Sequence, residues 1–237
     1  MIKAVFLDLW DTLIYSEPGP IETYTRMELE SITKTLSRVK NIDIDRVARA
    51  YRVLVEYRGV IKPGVYAKLL ASLLGFNPND PLLEEVAVEY EFGAVQYTPR
   101  VVEGARELLE YIKNKGLKTA LVTNTHFSSS TLRIILGNAG LSRYIDVIVS
   151  SADYEVLKPH PRIFEIAMNA LGVKPFEAIH IGDSCSRDVL GAYVSGIKPI
   201  LYARRSESIR ACEEIPGLTI IYSLREAIPV LEKILGE

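Results

Sequence analysis

Residues 2–13 constrain this chain more than any other stretch. Ile2, Ala4, Val5, Phe6 and Leu7 form a nearly continuous apolar run, the pattern of a strand buried on both faces. The run ends in Asp8, with Asp11 and Thr12 close behind. A buried strand that runs straight into carboxylates sets charge at the carboxyl edge of a sheet, where open α/β sheets bind their ligands. Taken alone, the stretch also reads as a strand capped by a solvated acidic turn, so the decision rests on the rest of the chain.

After Leu13 the composition changes. Ser16, Glu17, Pro18, Gly19 and Pro20 make a linker that neither helix nor strand tolerates. Residues 21–96 are helical in pattern throughout. Tyr24, Met27, Ile32, Leu36 and Val39 keep roughly helical spacing, as do Val47, Tyr51, Leu54 and Val55. Pro63 and Gly64 punctuate before a helix over 66–74, and the 75–81 stretch turns the chain into a fourth helix from about Leu82. The expectation is a small helical bundle.

Beyond Pro99, helix and strand alternate. Helices are predicted over 102–115, from the Ser128 cap to Leu136, over Pro161–Leu171 and over 187–195. Strands are predicted over 117–123, 145–149, 178–181 and 199–202, with a last strand over 218–222 and a closing helix over 224–235. Such spacing implies parallel βαβ units with right-handed crossovers. The fold class is therefore α/β: a doubly wound, Rossmann-like parallel-sheet core of residues 1–15 and 98–237, with a helical-bundle cap of residues 16–97. An insertion directly after the first strand sits above the carboxyl edge and is placed to act as a lid.

A formal net charge of −2 over 237 residues gives no reason to expect nucleic acid or a membrane surface as partner. Cys185 and Cys212, the only cysteines, show no metal-ligand spacing. With no signal-peptide pattern before the first strand and no long apolar run, the chain reads as cytoplasmic. Gln96 is the sole glutamine while Lys, Glu and Arg abound, a bias seen in heat-adapted proteins.

Four strand ends deliver polar groups to one edge. They carry Asp8, Asp11 and Thr12; then Thr123 and Asn124; then Lys158 before Pro159; then Gly182, Asp183 and Ser184 with Asp188 following. Each alone has a structural reading, as a turn, a surface lysine or a helix start. In this order they resemble the four motifs of the haloacid dehalogenase-like hydrolase superfamily, and the match covers almost the whole α/β region. The helical insertion resembles that superfamily's small helical cap.

The resemblance implies that Asp8 is a nucleophile forming a covalent aspartyl intermediate. It implies that Thr123 and Asn124 hold the oxygens of the transferring group, and that Lys158 neutralises charge on Asp8 and the substrate. One departure stands out. The superfamily's phosphatases place a second aspartate, the general acid/base, two residues after the nucleophile. This chain has Trp10 there and Asp11 one residue later, so Trp10 favours a 2-haloacid dehalogenase. Asp11 is carried as a catalytic candidate, against its reading as a solvated or capping carboxylate.

The fourth motif argues the other way, because Asp183 and Asp188 are both kept. With Asp8 they crowd one pocket in which Lys158 is the single offsetting charge, and like charges at such range need a cation. Mg²⁺ bound by Asp8, the Trp10 backbone carbonyl, Asp183 and Asp188 (directly or through water) meets that need and suits a phosphate dianion. The expectation is a Mg²⁺-dependent phosphatase of a small phosphorylated metabolite. The alternatives are a metal-independent dehalogenase and a catalytically weak binding protein of the same fold.

Other residues receive structural readings. His126 is expected to cap the following helix, and His160 and His180 have no partners at ligand spacing. Cys185 lies beside the site with nothing to activate it. Arg38, Arg52, Arg58 and Lys62 of the cap are read as solvated helix-face charges, and the cap tyrosines as packing groups.

Overall fold

A computed structural model describes residues 1–17, 22–204 and 209–236. Pro18, Gly19 and Pro20 of the linker, with Ile21, lie outside the described residues. Strands β1 (Ala4–Leu7), β2 (Lys118–Thr123), β3 (Val147–Ser150), β4 (Ala178–Gly182), β5 (Lys198–Tyr202) and β6 (Thr219–Ile221) form one all-parallel sheet of order β3-β2-β1-β4-β5-β6. The first strand thus lies at the centre, and the strand order reverses direction there. In doubly wound sheets that switch point opens a crevice beyond the carboxyl ends.

Alternation along β1 explains the two layers. Val5 and Leu7 pack with Leu108, Leu109 and Ile112 of α5 (Ala105–Asn114) and with Leu132, Ile135 and Leu136 of α6 (Ser129–Asn138). Ala4 and Phe6 pack on the other face with Ile163, Phe164, Ala167 and Met168 of α8 (Pro161–Leu171). A short α7 (Ser151–Tyr154) follows β3, α9 (Leu190–Val194) leads into β5, and α10 (Ala227–Leu235) closes the chain against the first face.

The sequence expectations for these elements differ from the structure mainly at their ends. Gly104, at φ 83°, delays α5 until Ala105, because a left-handed residue cannot sit inside a right-handed helix. The segment expected as one helix over 187–195 instead opens with a π-helical turn, Cys185–Val189, before α9.

Between β1 and α5 the chain forms α1 (Thr23–Leu36), α2 (Ile44–Leu54), α3 (Pro63–Leu73) and α4 (Leu82–Phe92). Pro63 begins α3 rather than preceding it, since proline at the first helical position forfeits no hydrogen bond. The four helices share a core of their own, built from Leu29, Ile32, Leu36, Val47, Tyr51, Tyr66, Leu70, Val86 and Tyr90. Gly59 joins the bundle to the sheet: its backbone lies so close to Thr125 that an added Cβ would meet Thr125 at 3.0 Å. Ser151 Oγ lies 3.0 Å from the Gly59 carbonyl.

Candidate active site

The carboxyl ends of β1, β2 and β4, with the loop after β3, bring the expected residues together. Asp8 directly follows β1, and its backbone N–H still donates to Ile181 of β4 at 2.9 Å. Its side chain is buried. Lys158 Nζ donates to Asp8 Oδ1 and to Asp188 Oδ1, each at 2.6 Å, and the Thr12 hydroxyl donates to Asp8 Oδ2 at 3.1 Å. Oxygens of Asp8, Asp183 and Asp188 all lie within 4.8 Å of one another.

Asp188 is the most heavily held of the three. It rides on the π-helical turn, accepts the Ser184 backbone N–H at 3.0 Å on Oδ2, and lies 3.0 Å from His180 Nε2 through Oδ1. Gly182 makes room for it. A Cβ there would lie 2.3 Å from the Asp188 carboxyl carbon. Burial opposes its charge, yet Lys158 and His180 together hold its carboxyl well below the usual range. Asp8 shares Lys158 but lacks His180, so burial dominates and its carboxyl is pushed up. Lys158, although buried, is driven further towards its charged form by Asp188 and Asp8.

Asp183 is different. Its Oδ1 is buried and has no hydrogen-bond partner among the described residues. Burial first, then the charges of Asp8 and Asp188, push its carboxyl up to about 7. An acid left short of donors beside two further carboxylates fits a hard, oxygen-seeking cation. Asp8, Asp183 and Asp188 are the side chains that could hold one, and the Trp10 carbonyl belongs to the loop directly after Asp8.

The β2 end contributes two unlike groups. Thr123 Oγ1 is buried with no partner among the described residues. Asn124 is fully engaged with the Lys158 peptide: its amide N–H donates to the Lys158 carbonyl at 3.0 Å, and its Oδ1 accepts the Lys158 N–H at 2.7 Å. A two-point clamp of this kind fixes the loop from which the lysine reaches inward.

Asp11 lines the cleft beside Trp10, and its charge adds to those acting on Asp183. It adopts φ 60°, and its Oδ1 accepts from Arg204 at 2.5 Å and from the Ser16 N–H at 3.3 Å. Despite partial burial, these donors hold its carboxyl below the ordinary value. Trp10 packs into an aromatic group, its ring centroid 5.3 Å from Tyr24 and 6.4 Å from Phe127.

Above the site lies a cleft of about 460 Å³, lined from the sheet side by Trp10, Asn124, His126 and Arg187 and from the helical segment by Glu22, Tyr24, Tyr51 and Arg58. Here two sequence expectations are corrected. Arg58 is not a solvated surface charge. Its guanidinium is buried and bonds Glu28, Thr25, Tyr51, Tyr90 and His126. His126 does not cap α6, a task done by Ser128; it lies 2.6 Å from Arg58 and 3.0 Å from Glu28. Burial and the Arg58 charge push its imidazole below the ordinary value. His160 caps α8.

Sequence reasoning placed Thr12 at the edge without a role, it missed His180 and Arg204 as partners of the site, and it missed a disulfide between Cys185 and Cys212. A histidine eight residues before an aspartate carries no spacing signal, because the strand and turn between them fold back. Two cysteines 27 residues apart are equally uninformative.

A family model described as a haloacid dehalogenase-like hydrolase matches residues 2–196. A glyceraldehyde 3-phosphate phosphatase of Pyrococcus furiosus is 28% identical over 235 residues, 98% of this chain and 94% of that protein. The solved HAD phosphatase of Thermococcus onnurineus superposes with TM-score 0.58 at 26% identity, covering 99% of this chain and 98% of that one. A 2-haloacid dehalogenase of Pseudomonas syringae pv. Tomato DC3000 gives TM-score 0.67 at 20% identity, covering 99% and 100%, a likeness of fold alone. With its central Asp8, its parallel sheet and its helical insertion after β1, the chain belongs to the haloacid dehalogenase-like hydrolase family.

Proposed function

We propose that this hydrolase is a Mg²⁺-dependent phosphatase of a small phosphorylated metabolite, with Asp8 as the nucleophile. The observation that carries this reading is the buried Asp183 oxygen, without a hydrogen-bond partner among the described residues, beside Asp8 and Asp188, which share Lys158. A site so negative repels a phosphate dianion unless a cation is present. Asp8, Asp183, Asp188 and the Trp10 carbonyl would hold the ion. When bound, it would neutralise charge on the phosphoryl oxygens. The relatives named as phosphatases support the same choice.

Each group of this chain then has a task. Lys158 favours the ionised form of Asp8 against its burial and offsets charge as the phosphoryl group approaches. Thr12 orients the Asp8 carboxylate, and the free Thr123 hydroxyl is available to a phosphoryl oxygen. Asn124 acts by fixing Lys158. Asp11 braces the loop against Arg204 rather than moving protons. Residues 16–97 act as a lid over residues 1–15 and 98–237, with His126 as the docking point. Trp10 favours a dehalogenase, but a haloacid carboxylate would face the same unbalanced carboxylates with no cation to receive it.

A panel of phosphate esters and 2-haloacids, assayed with Mg²⁺ and with EDTA, tests the reading. Phosphate release that EDTA stops supports it; halide release that EDTA leaves undiminished overturns it.

A further inference from the structure

The helical segment turns a largely apolar face to solvent. In α3 the residues that pack inward include Tyr66, Ala67, Leu70 and Ala71. The outward positions of such a helix are ordinarily polar. Here Val65, Leu69 and Leu73, spaced by four and so stacked along one face, are 48%, 44% and 52% exposed. Helix α3 packs between α2 and α4, and Val53 of α2 and Val88 of α4 are more exposed still. Single surface aliphatics need no explanation, but a stripe shared by three neighbouring helices marks an interaction surface.

The two edges of this stripe differ in charge. The groove between α2 and α3 is lined by Arg46, Arg49, Val53 and Leu73, with no carboxylate among the described residues. The groove on the α4 side carries Glu84, Glu91 and Asp153 against Lys62 and Lys68, and Lys68 is already bonded to Glu84. A partner of one sign would suit one edge and be repelled by the other. A face that bears both halves of a complement is instead matched by a copy of itself.

We propose that the chain forms a homodimer through α3, about a two-fold axis running along that helix. This axis lays the two α3 helices parallel, so that Val65 and Leu69 each meet their own counterparts. It also carries the arginine edge of each copy over the acidic edge of the other. An axis across α3 would make the helices antiparallel and set arginine over arginine and carboxylate over carboxylate, an arrangement that like charges oppose. Val65, Leu69 and Ser72 keep the four-three spacing of a parallel helix seam, with Leu73 at its flank. None of these side chains lines the cleft above Asp8, so association is separable from catalysis.

Sedimentation velocity of the full chain, from low to high micromolar concentration, tests this. The wild type should sediment at twice the mass of one chain. Leu69→Lys sets two like charges against each other in the seam and should weaken association by about 10²-fold or more. Phosphate release per chain should be unchanged in that variant. The axis is read from Val65→Cys, which should become covalently dimeric on mild oxidation with copper phenanthroline, since the native cysteines are already joined to each other. If Leu69→Lys fails to fold, the Val65→Cys link decides alone. A chain that stays monomeric overturns the proposal, including one whose α3 face instead captures vesicles of phosphatidylcholine and phosphatidylglycerol. So does a dimer that Leu69→Lys leaves intact, or one in which Val65→Cys links to Leu73→Cys in a mixture of the two variants but not to itself.

Discussion

Asp183 concentrates the chemistry of the site in one carboxyl. Its proton and a cation compete for the same oxygens, because a cation needs the ionised form. With the carboxyl at about 7 in the metal-free protein, Mg²⁺ affinity should fall as pH drops through that value, by about tenfold per unit once the acid is mostly protonated. Calorimetric titrations at about pH 6 and about pH 8 measure this, and Asp183→Asn should abolish both the binding and its pH dependence. His180 gives a second prediction at this scale. His180→Phe keeps the ring that stands edge-on to Phe164 but removes the bond to Asp188, and hydrogen bonds to charged groups are worth about 1.5–3 kcal/mol. The metal-free protein should lose about that much stability and bind Mg²⁺ more weakly, with His180→Gln recovering part of both. Asp8, Lys158, Asp183 and Asp188 are legible in the sequence because each follows a strand end. His180 is not, since its role depends on how the turn after β4 folds back onto the strand.

Among the elements, the sheet is legible because its strands are short apolar runs, whereas helix ends depend on local backbone. Gly104 and Pro63 each shifted a boundary for that reason. The interior of the helical segment was less legible, because an arginine on a helical pattern looks the same whether solvated or buried. Arg58 and Glu28 form a buried pair, and removing one partner of such a pair strands the other charge at a cost of about 3–5 kcal/mol. Arg58→Met should therefore destabilise the helical segment by about that amount in denaturant unfolding. The double variant Arg58→Met with Glu28→Gln should recover much of the loss. If Arg58→Met were silent, the pair would not be what ties α1, the turn that bears Arg58, and His126 together.

For the whole molecule, the Cys185–Cys212 bond ties the turn that bears Asp188 to the segment before β6. Closing a loop of 27 residues restricts the unfolded chain by about 3.5 kcal/mol on the chain-entropy estimate. Cys212→Ser should lower stability by roughly that amount and weaken Mg²⁺ binding through Asp188, both measurable against the oxidised wild type. The central claim is that Asp8 becomes covalently phosphorylated with a cation bound beside it. Rapid acid quenching during turnover of acetyl phosphate, followed by peptide mass spectrometry, examines it most directly. The account predicts a phosphoryl group on Asp8 that is absent in EDTA and in Asp8→Asn; turnover with an unmodified Asp8, or a phosphoryl group on Asp8 that forms equally well in EDTA, would contradict it.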